Sequence, residues 1–236
     1  MSLVSKLLLV FILVFYSAVS HSECVILLHG LVRSDGSMKK IERALTKESY
    51  DVVNVDYPSR DFPIEVLAEK TIKPVLEKCP EDQKVNFVTH SLGGILVRQY
   101  LSLHEISELH RVVMLGPPNK GSEVVDMIGH WPGFDFVNGE AGLQLGTDDK
   151  SIPNTLGAAN FDVGIIAGTA SLNFIFSSIV PGEDDGTVSV ESTKLQGMND
   201  HIKLPVSHTF MMNDKRVIMQ VIHYLKHGNF IREQDN

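Results

Sequence analysis

The chain has no block of lysine or arginine, and its 29 acidic residues outnumber the 21 basic ones, for a formal net charge of −8. Without a basic patch there is nothing to neutralise phosphates, which argues against a nucleic-acid-binding protein. Internal repeats, low-complexity tracts and Gly/Ser-rich linkers are also missing from the 236 residues. At this length, that absence implies one sizeable globular domain. Eighteen glycines and ten prolines are ordinary for a loop-rich enzyme, and 43% hydrophobic residues exclude intrinsic disorder. The ten-residue apolar run at 7–16 is far shorter than the ~20 residues a membrane-spanning helix needs.

That run has another meaning in its setting. Lys6 precedes it, and Ala18 and Ser20 follow at the spacing of an A-x-A-like cleavage site, with Ser20 and Ser22 as a second option. This is the pattern of a secretory signal peptide. Residues 1–22 are therefore expected to be a signal peptide and 23–236 an exported domain, periplasmic or secreted. An uncleaved segment that anchors the domain to the membrane is the alternative. The chain has only two cysteines, Cys24 and Cys79. Cys24 opens a strand pattern and Cys79 ends a helix pattern shortly before another strand, so both are expected at the N-terminal edge of one sheet. Two buried thiols or one disulfide would fit there, and an oxidising compartment favours the disulfide.

Short apolar runs at 25–28, 51–55, 85–88, 112–115, 163–167 and 202–206 read as six buried strands. Helical patterns lie between them. One carries Met38, Ile41 and Leu45, another runs from Ile64 to Leu76 with a kink expected at Pro74, and the last, with Val221 and Leu225, is capped by Asn213 or Asp214 and stopped at Gly228. Such alternation predicts a doubly wound, mostly parallel α/β sheet, with ligands bound beyond the carboxyl ends of its strands. Residues 117–160 break the rhythm and read as an irregular, lid-like insertion.

The strongest chemical signal is Thr89-His90-Ser91-Leu92-Gly93-Gly94, a serine between a strand and a helix pattern. That is the context of a nucleophile elbow, although Thr89 stands where G-x-S-x-G has its first glycine. Upstream, His29-Gly30-Leu31 ends the first strand pattern, where an oxyanion turn belongs. The amides of Leu31 and Leu92 are the expected oxyanion donors. His208 is the histidine expected just beyond the carboxyl end of the last strand, within reach of Ser91 as general base. Asp184 and Asp185 compete as its acid partner, against the bland alternative of an Asx-turn with Gly186.

Taken together, LLHGL, THSLGG, LGPPNKGSE, EDDGTVSVEST and SHTFMM resemble the α/β-hydrolase fold family, in particular its lipase- and esterase-like members. The resemblance covers the chain from Val25 to about Phe230. It implies the order serine, acid, histidine, and its D-G-x-V turn selects Asp185 over Asp184. It further implies a serine hydrolase of carboxylic esters, lipid-derived ones included, that forms an acyl-enzyme and uses no metal or organic cofactor. An acyltransferase with the same triad, or a non-catalytic binding module on the same fold, is the alternative. The expected partner is a small-molecule or lipid ester, with peripheral membrane contact as an option. Trp131 and Phe134 of the insertion and Phe176 of the loop before Asp185 are expected to wall an acyl pocket.

Overall fold

The computed structural model describes residues 22–172, 177, 178 and 180–232. The expected signal peptide, apart from Ser22, lies outside the described residues, as do Phe174, Ile175, Phe176 and Ile179. The six apolar runs form strands β1 (Cys24–Leu28), β2 (Asp51–Val55), β3 (Val85–His90), β4 (Leu109–Leu115), β5 (Val163–Gly168) and β6 (Asp200–Leu204). They make one sheet in the order β2-β1-β3-β4-β5-β6, and every neighbouring pair is parallel. The expected doubly wound sheet is thus present.

Alternation along each strand divides the core between the two faces. In β1, Cys24, Ile26 and Leu28 join the cluster beneath helices α2 (Ile64–Leu76) and α3 (Leu92–Leu101). Val25 and Leu27 face the cluster formed with α1 (Lys39–Lys47) and the C-terminal helix Lys215–His227. The C-terminal helix is capped by Asp214, whose carboxylate accepts the Arg216 amide, and it stops at Gly228 in the left-handed region. Pro74 sits in the final turn of α2, so the one i→i−4 hydrogen bond it removes falls close to the helix end.

Two expectations need correction. The last strand is Asp200–Leu204 rather than 202–206, because Pro205 has no N–H to extend the ladder. As an edge strand paired only with β5, β6 tolerates the polar Asp200 and His201 that hid its start. The insertion is also not irregular. It holds helices α4 (Glu123–Ile128), α5 (Phe134–Leu143) and α6 (Ile152–Thr155), the second of which bends at Gly139.

At the N-terminal edge of the sheet, Cys24 and Cys79 form a disulfide with Cα atoms 5.7 Å apart, within the usual span. The bond joins β1 to the end of α2 across a sequence separation of 55. In the chain-entropy model, a loop of that length stabilises by about 4 kcal/mol. We expect Cys79→Ser to lose up to about that much in urea unfolding. Non-reducing peptide maps should recover the two cysteine peptides joined, whereas two alkylatable thiols would contradict the pairing.

Candidate active site

The chain leaves β1 for β2 on one side and returns through α2 to β3 on the other. Strand order therefore reverses between β1 and β3, which opens a crevice beyond their carboxyl ends. Ser91 follows β3 directly and caps α3 with φ 51° and ψ −119°. A non-glycine residue with positive φ is strained and persists only where its surroundings fix it. Here the Ser91 amide donates to Leu115 O at the end of β4 (2.9 Å), and Ser91 O accepts the Gly94 amide (3.0 Å). Thr89, the departure from the glycine pattern, is buried, and among the described residues its hydroxyl has no hydrogen-bond partner. That hydroxyl lies against Gly94, where a Cβ would come within 3.2 Å of it.

Asp185 and His208 meet on the same side of the sheet. His208 Nδ1 donates to Asp185 Oδ2 (2.8 Å), and the His208 amide donates to Asp185 O (2.9 Å). Asp185 Oδ1 accepts the amides of Thr187 (3.1 Å) and Val188 (2.8 Å). With Nδ1–H committed, Nε2 keeps its lone pair and is available as a base. Asp184 does different work, since its Oδ1 accepts the Gly186 amide and the Ser177 hydroxyl, both at 2.7 Å. It forms the turn that carries its neighbour.

Space for this pair comes from two glycines that the sequence reading passed over. At Gly116, just beyond β4 with φ 53°, a Cβ would lie 3.0 Å from Asp185 Oδ2 and 3.1 Å from His208 Nδ1. At Gly168, ending β5, it would lie 2.7 Å from Asp185 Cβ. The signal was legible as a glycine at the end of two successive strands. Among the described residues the Ser91 hydroxyl has no hydrogen-bond partner. Such contacts are often long before substrate binds.

His90 links the two halves of the site. Its Nε2 donates to His208 O (2.9 Å), and the two rings stand 4.8 Å apart. The turn after β1 is held similarly. His29 Nδ1 donates to Gly30 O (2.8 Å), while Nε2 accepts the Tyr57 amide (3.3 Å). Gly30 O and Leu31 N–H belong to one peptide plane, so His29 orients the Leu31 amide. Among the described residues, neither the Leu31 nor the Leu92 amide has an acceptor. Two free donors thus stand on either side of the crevice.

The insertion packs over this turn, and a Cβ on Gly142 of α5 would lie 3.2 Å from the Leu31 side chain. Its feet are held by Arg98 of α3, a buried guanidinium that donates to Asn119 O and Oδ1, Pro153 O and Gly157 O at 3.0–3.1 Å. Among the described residues no carboxylate offsets that burial, which lowers the Arg98 pKa to about 10 and still leaves it charged. Trp131 is 56% exposed, Phe136 88% and Phe134 half-buried, so this apolar surface does not pack inward as core. Asn119 and Ser122 bond the backbone of Thr193 and Thr187 and brace the loop around Asp185. The rings of His223 and His227 lie 4.3 Å apart and tilted to one another. A cleft of about 1080 Å³ along β6 has none of these groups in its lining.

Burial holds three histidines below the ordinary imidazole value. For His29, burial outweighs the opposing pull of Gly30 O and Asp56. For His90, burial comes first and the electrostatic effect of the neighbouring His208 second, and together they push the value well down. His201 is lowered by burial and then by Lys194. The unfolded chain protonates these groups near pH 6.5 while the folded one resists. Their contribution is therefore fully present above that pH and is lost as pH falls. Paired carboxylates such as Asp214, held at about 2, lose theirs only below their unfolded pKa of about 4. We expect Tm to fall between pH 7 and 5, and His90→Gln to flatten part of that slope. A flat profile would contradict neutral buried imidazoles.

No family model matches the chain, and no curated protein matches its sequence. Solved structures do. A mature Bacillus licheniformis lipase superposes with a TM-score of 0.68 at 20% identity, over 89% of this chain and 93% of the other. Aspergillus fumigatus lipase B gives a TM-score of 0.63 at 13% identity, over 87% and 53%. The phospholipase PlaB of Legionella pneumophila gives 0.59 at 18%, over 73% and 46%. At these identities the likeness speaks for architecture, and with the sheet order and elbow above it identifies the chain as having the α/β-hydrolase fold.

Proposed function

We propose that the protein is an exported serine hydrolase that cleaves carboxylic esters, lipid-derived ones included. The observation that carries this reading is the buried Asp185–His208 pair beside a positive-φ serine at the sheet's switch point. In the proposed reaction His208 Nε2 takes the Ser91 proton as Oγ attacks the ester carbonyl. The amides of Leu31 and Leu92 stabilise the oxyanion, and one such donor is worth ~3 kcal/mol of barrier. Collapse breaks the ester C–O bond, and the alcohol leaves with the proton from His208. Water, deprotonated by His208 in turn, then releases the acid and regenerates Ser91.

The names of the similar structures, two lipases and a phospholipase, support ester hydrolysis. Exposed apolar side chains support a lipid-derived acyl group. Trp131, Phe136 and Val137 lie on the insertion, Leu172 on the loop after β5, and Phe210 just after His208. The Cys24–Cys79 disulfide supports an oxidising compartment.

p-Nitrophenyl esters of graded length test the substrate class. kcat/KM should rise from acetate to hexanoate, since each buried methylene contributes ~0.8 kcal/mol, and Trp131→Ala should flatten the rise. Acetate preference that Trp131→Ala leaves unchanged would exclude the lipid reading. Asp185→Asn should lower turnover by orders of magnitude, because triad members act as a unit. Asp184→Asn keeps its turn-forming oxygen and should cost less than tenfold on the same footing. The reverse ranking would contradict the acid assignment.

A further inference from the structure

Two arginines beside the turn after β1 have no anion to match them. Arg33 is exposed, and among the described residues it makes neither a hydrogen bond nor an ion pair. Arg60, in the segment after β2, is exposed too, and its side chain reaches only Val137 O of α5, at a long 3.5 Å. Elsewhere Arg111, Arg216 and Arg232 each hold an aspartate. In a chain of net charge −8, two unmatched guanidiniums at one place point to an anion from outside.

The backbone brings the two together at a cost. Val32 has φ 56°, a left-handed value that β-branched residues resist, and it is 44% exposed, so packing does not impose it. Its amide donates to Ser59 Oγ (3.1 Å). That bond joins the turn after β1 to the segment after β2, and the next residue on each side of it is an arginine. Tyr57 adds a second tie, its hydroxyl donating to His29 O (2.6 Å). Between the two segments lies a cavity of about 290 Å³ lined by Val32, Arg33, Tyr57, Ser59, Arg60 and Asp61. Among the described residues Asp61 pairs with neither arginine, and the lining keeps an excess of positive charge. Backbone strain and like charges gathered at one spot are each unfavourable, and such costs persist where they serve a ligand.

This cavity adjoins the proposed reacting centre. Arg33 lies two residues beyond Leu31, so their Cα atoms are at most about 7 Å apart. After burial and His208, the Arg33 charge is among those that act on the buried imidazole of His90, next to Ser91. On the other flank α5 bends against the Arg60 backbone, where a Cβ at Gly139 would collide with Arg60 O. A phosphate a few bonds from the scissile carbonyl falls within this reach, and a guanidinium fork matches its oxygens two at a time. A neutral ester would leave both cations unmatched. We propose that Arg33 and Arg60 bind the phosphate of a glycerophospholipid, which makes phosphate-bearing glycerol esters the substrate class of the site. Hydrolysis then delivers OH from water to the acyl carbon and H to the glycerol oxygen, giving a fatty acid and a lysophospholipid. The proposal rests on the hydrolase reading for that reaction, but not for the binding of the anion.

Dihexanoyl phosphatidylcholine and dihexanoylglycerol, both kept monomeric in solution, share acyl chains and glycerol and differ in the phosphate head group. Wild type should favour the phospholipid at least tenfold in kcat/KM. Arg33→Gln and Arg60→Gln should each cut that ratio at least fivefold, through KM more than kcat, because a contact remote from the carbonyl holds substrate and transition state alike. Salt at about 0.5 M should shrink the wild-type ratio in the same direction. A wild-type ratio near one would overturn the proposal. So would variants that lose activity equally on both esters, since that marks a structural role alone. Calorimetry on Ser91→Ala judges the site without turnover. There the phospholipid should bind at least tenfold more tightly than inorganic phosphate, and adding Arg33→Gln should weaken it at least fivefold. Equal binding of inorganic phosphate would mark a free-anion site and overturn the substrate class. A wild type that cleaves neither ester would sink the hydrolase reading, while the Ser91→Ala titration would still judge the anion site.

Discussion

The site depends on how closely helix α3 approaches the end of β1. A Cβ at Gly93 would lie 2.8 Å from Leu28 O and 3.0 Å from His29 O, so only a glycine lets the helix start there. Because it starts there, the Leu92 amide comes to the same crevice as the Leu31 amide, and Ser91 is forced into its sharp turn. The strain at Ser91 is of order ~1–3 kcal/mol. It is offset by the hydrogen bond to Leu115 O and by the complete burial of Leu92, Ile95 and Leu96 of α3, each worth roughly 1.5–3 kcal/mol. A helix anchored this firmly can hold a strained residue at its first position.

The remaining groups follow from the same parallel geometry. Successive strands end at the same level, so loops after β3, β4, β5 and β6 converge without any long-range device. Gly116 and Gly168 clear the floor, the turn made by Asp184 presents Asp185, and His90 reaches from the elbow to the His208 carbonyl. Arg98 ties the helix behind the serine to both feet of the insertion. Ser91, its neighbours and the insertion are therefore parts of one packed unit.

Much of this was legible in the residues. Strands such as β1 and β3 are buried on both faces and show unbroken apolar runs, so their position was plain. The edge strand β6 was misplaced by two residues because polar Asp200 and His201 can sit at an edge. The order of Ser91, Asp185 and His208 was readable because each follows a strand. The choice between the two aspartates needed family resemblance, since either could form an Asx-turn. What periodicity could not reveal were contacts between distant segments. The grip of Ser59 on Val32, the bond from His90 to His208 O and the four acceptors of Arg98 involve polar atoms whose partners lie up to 118 residues away. No local pattern encodes them.

The central claim is that this packing activates one serine. Treating the folded protein with a fluorophosphonate and mapping its peptides tests that most directly. The account predicts a single adduct on Ser91 that disappears when the chain is unfolded in urea before treatment, and in Ser91→Ala. An adduct on another residue, or labelling that persists in Ser91→Ala, would contradict it.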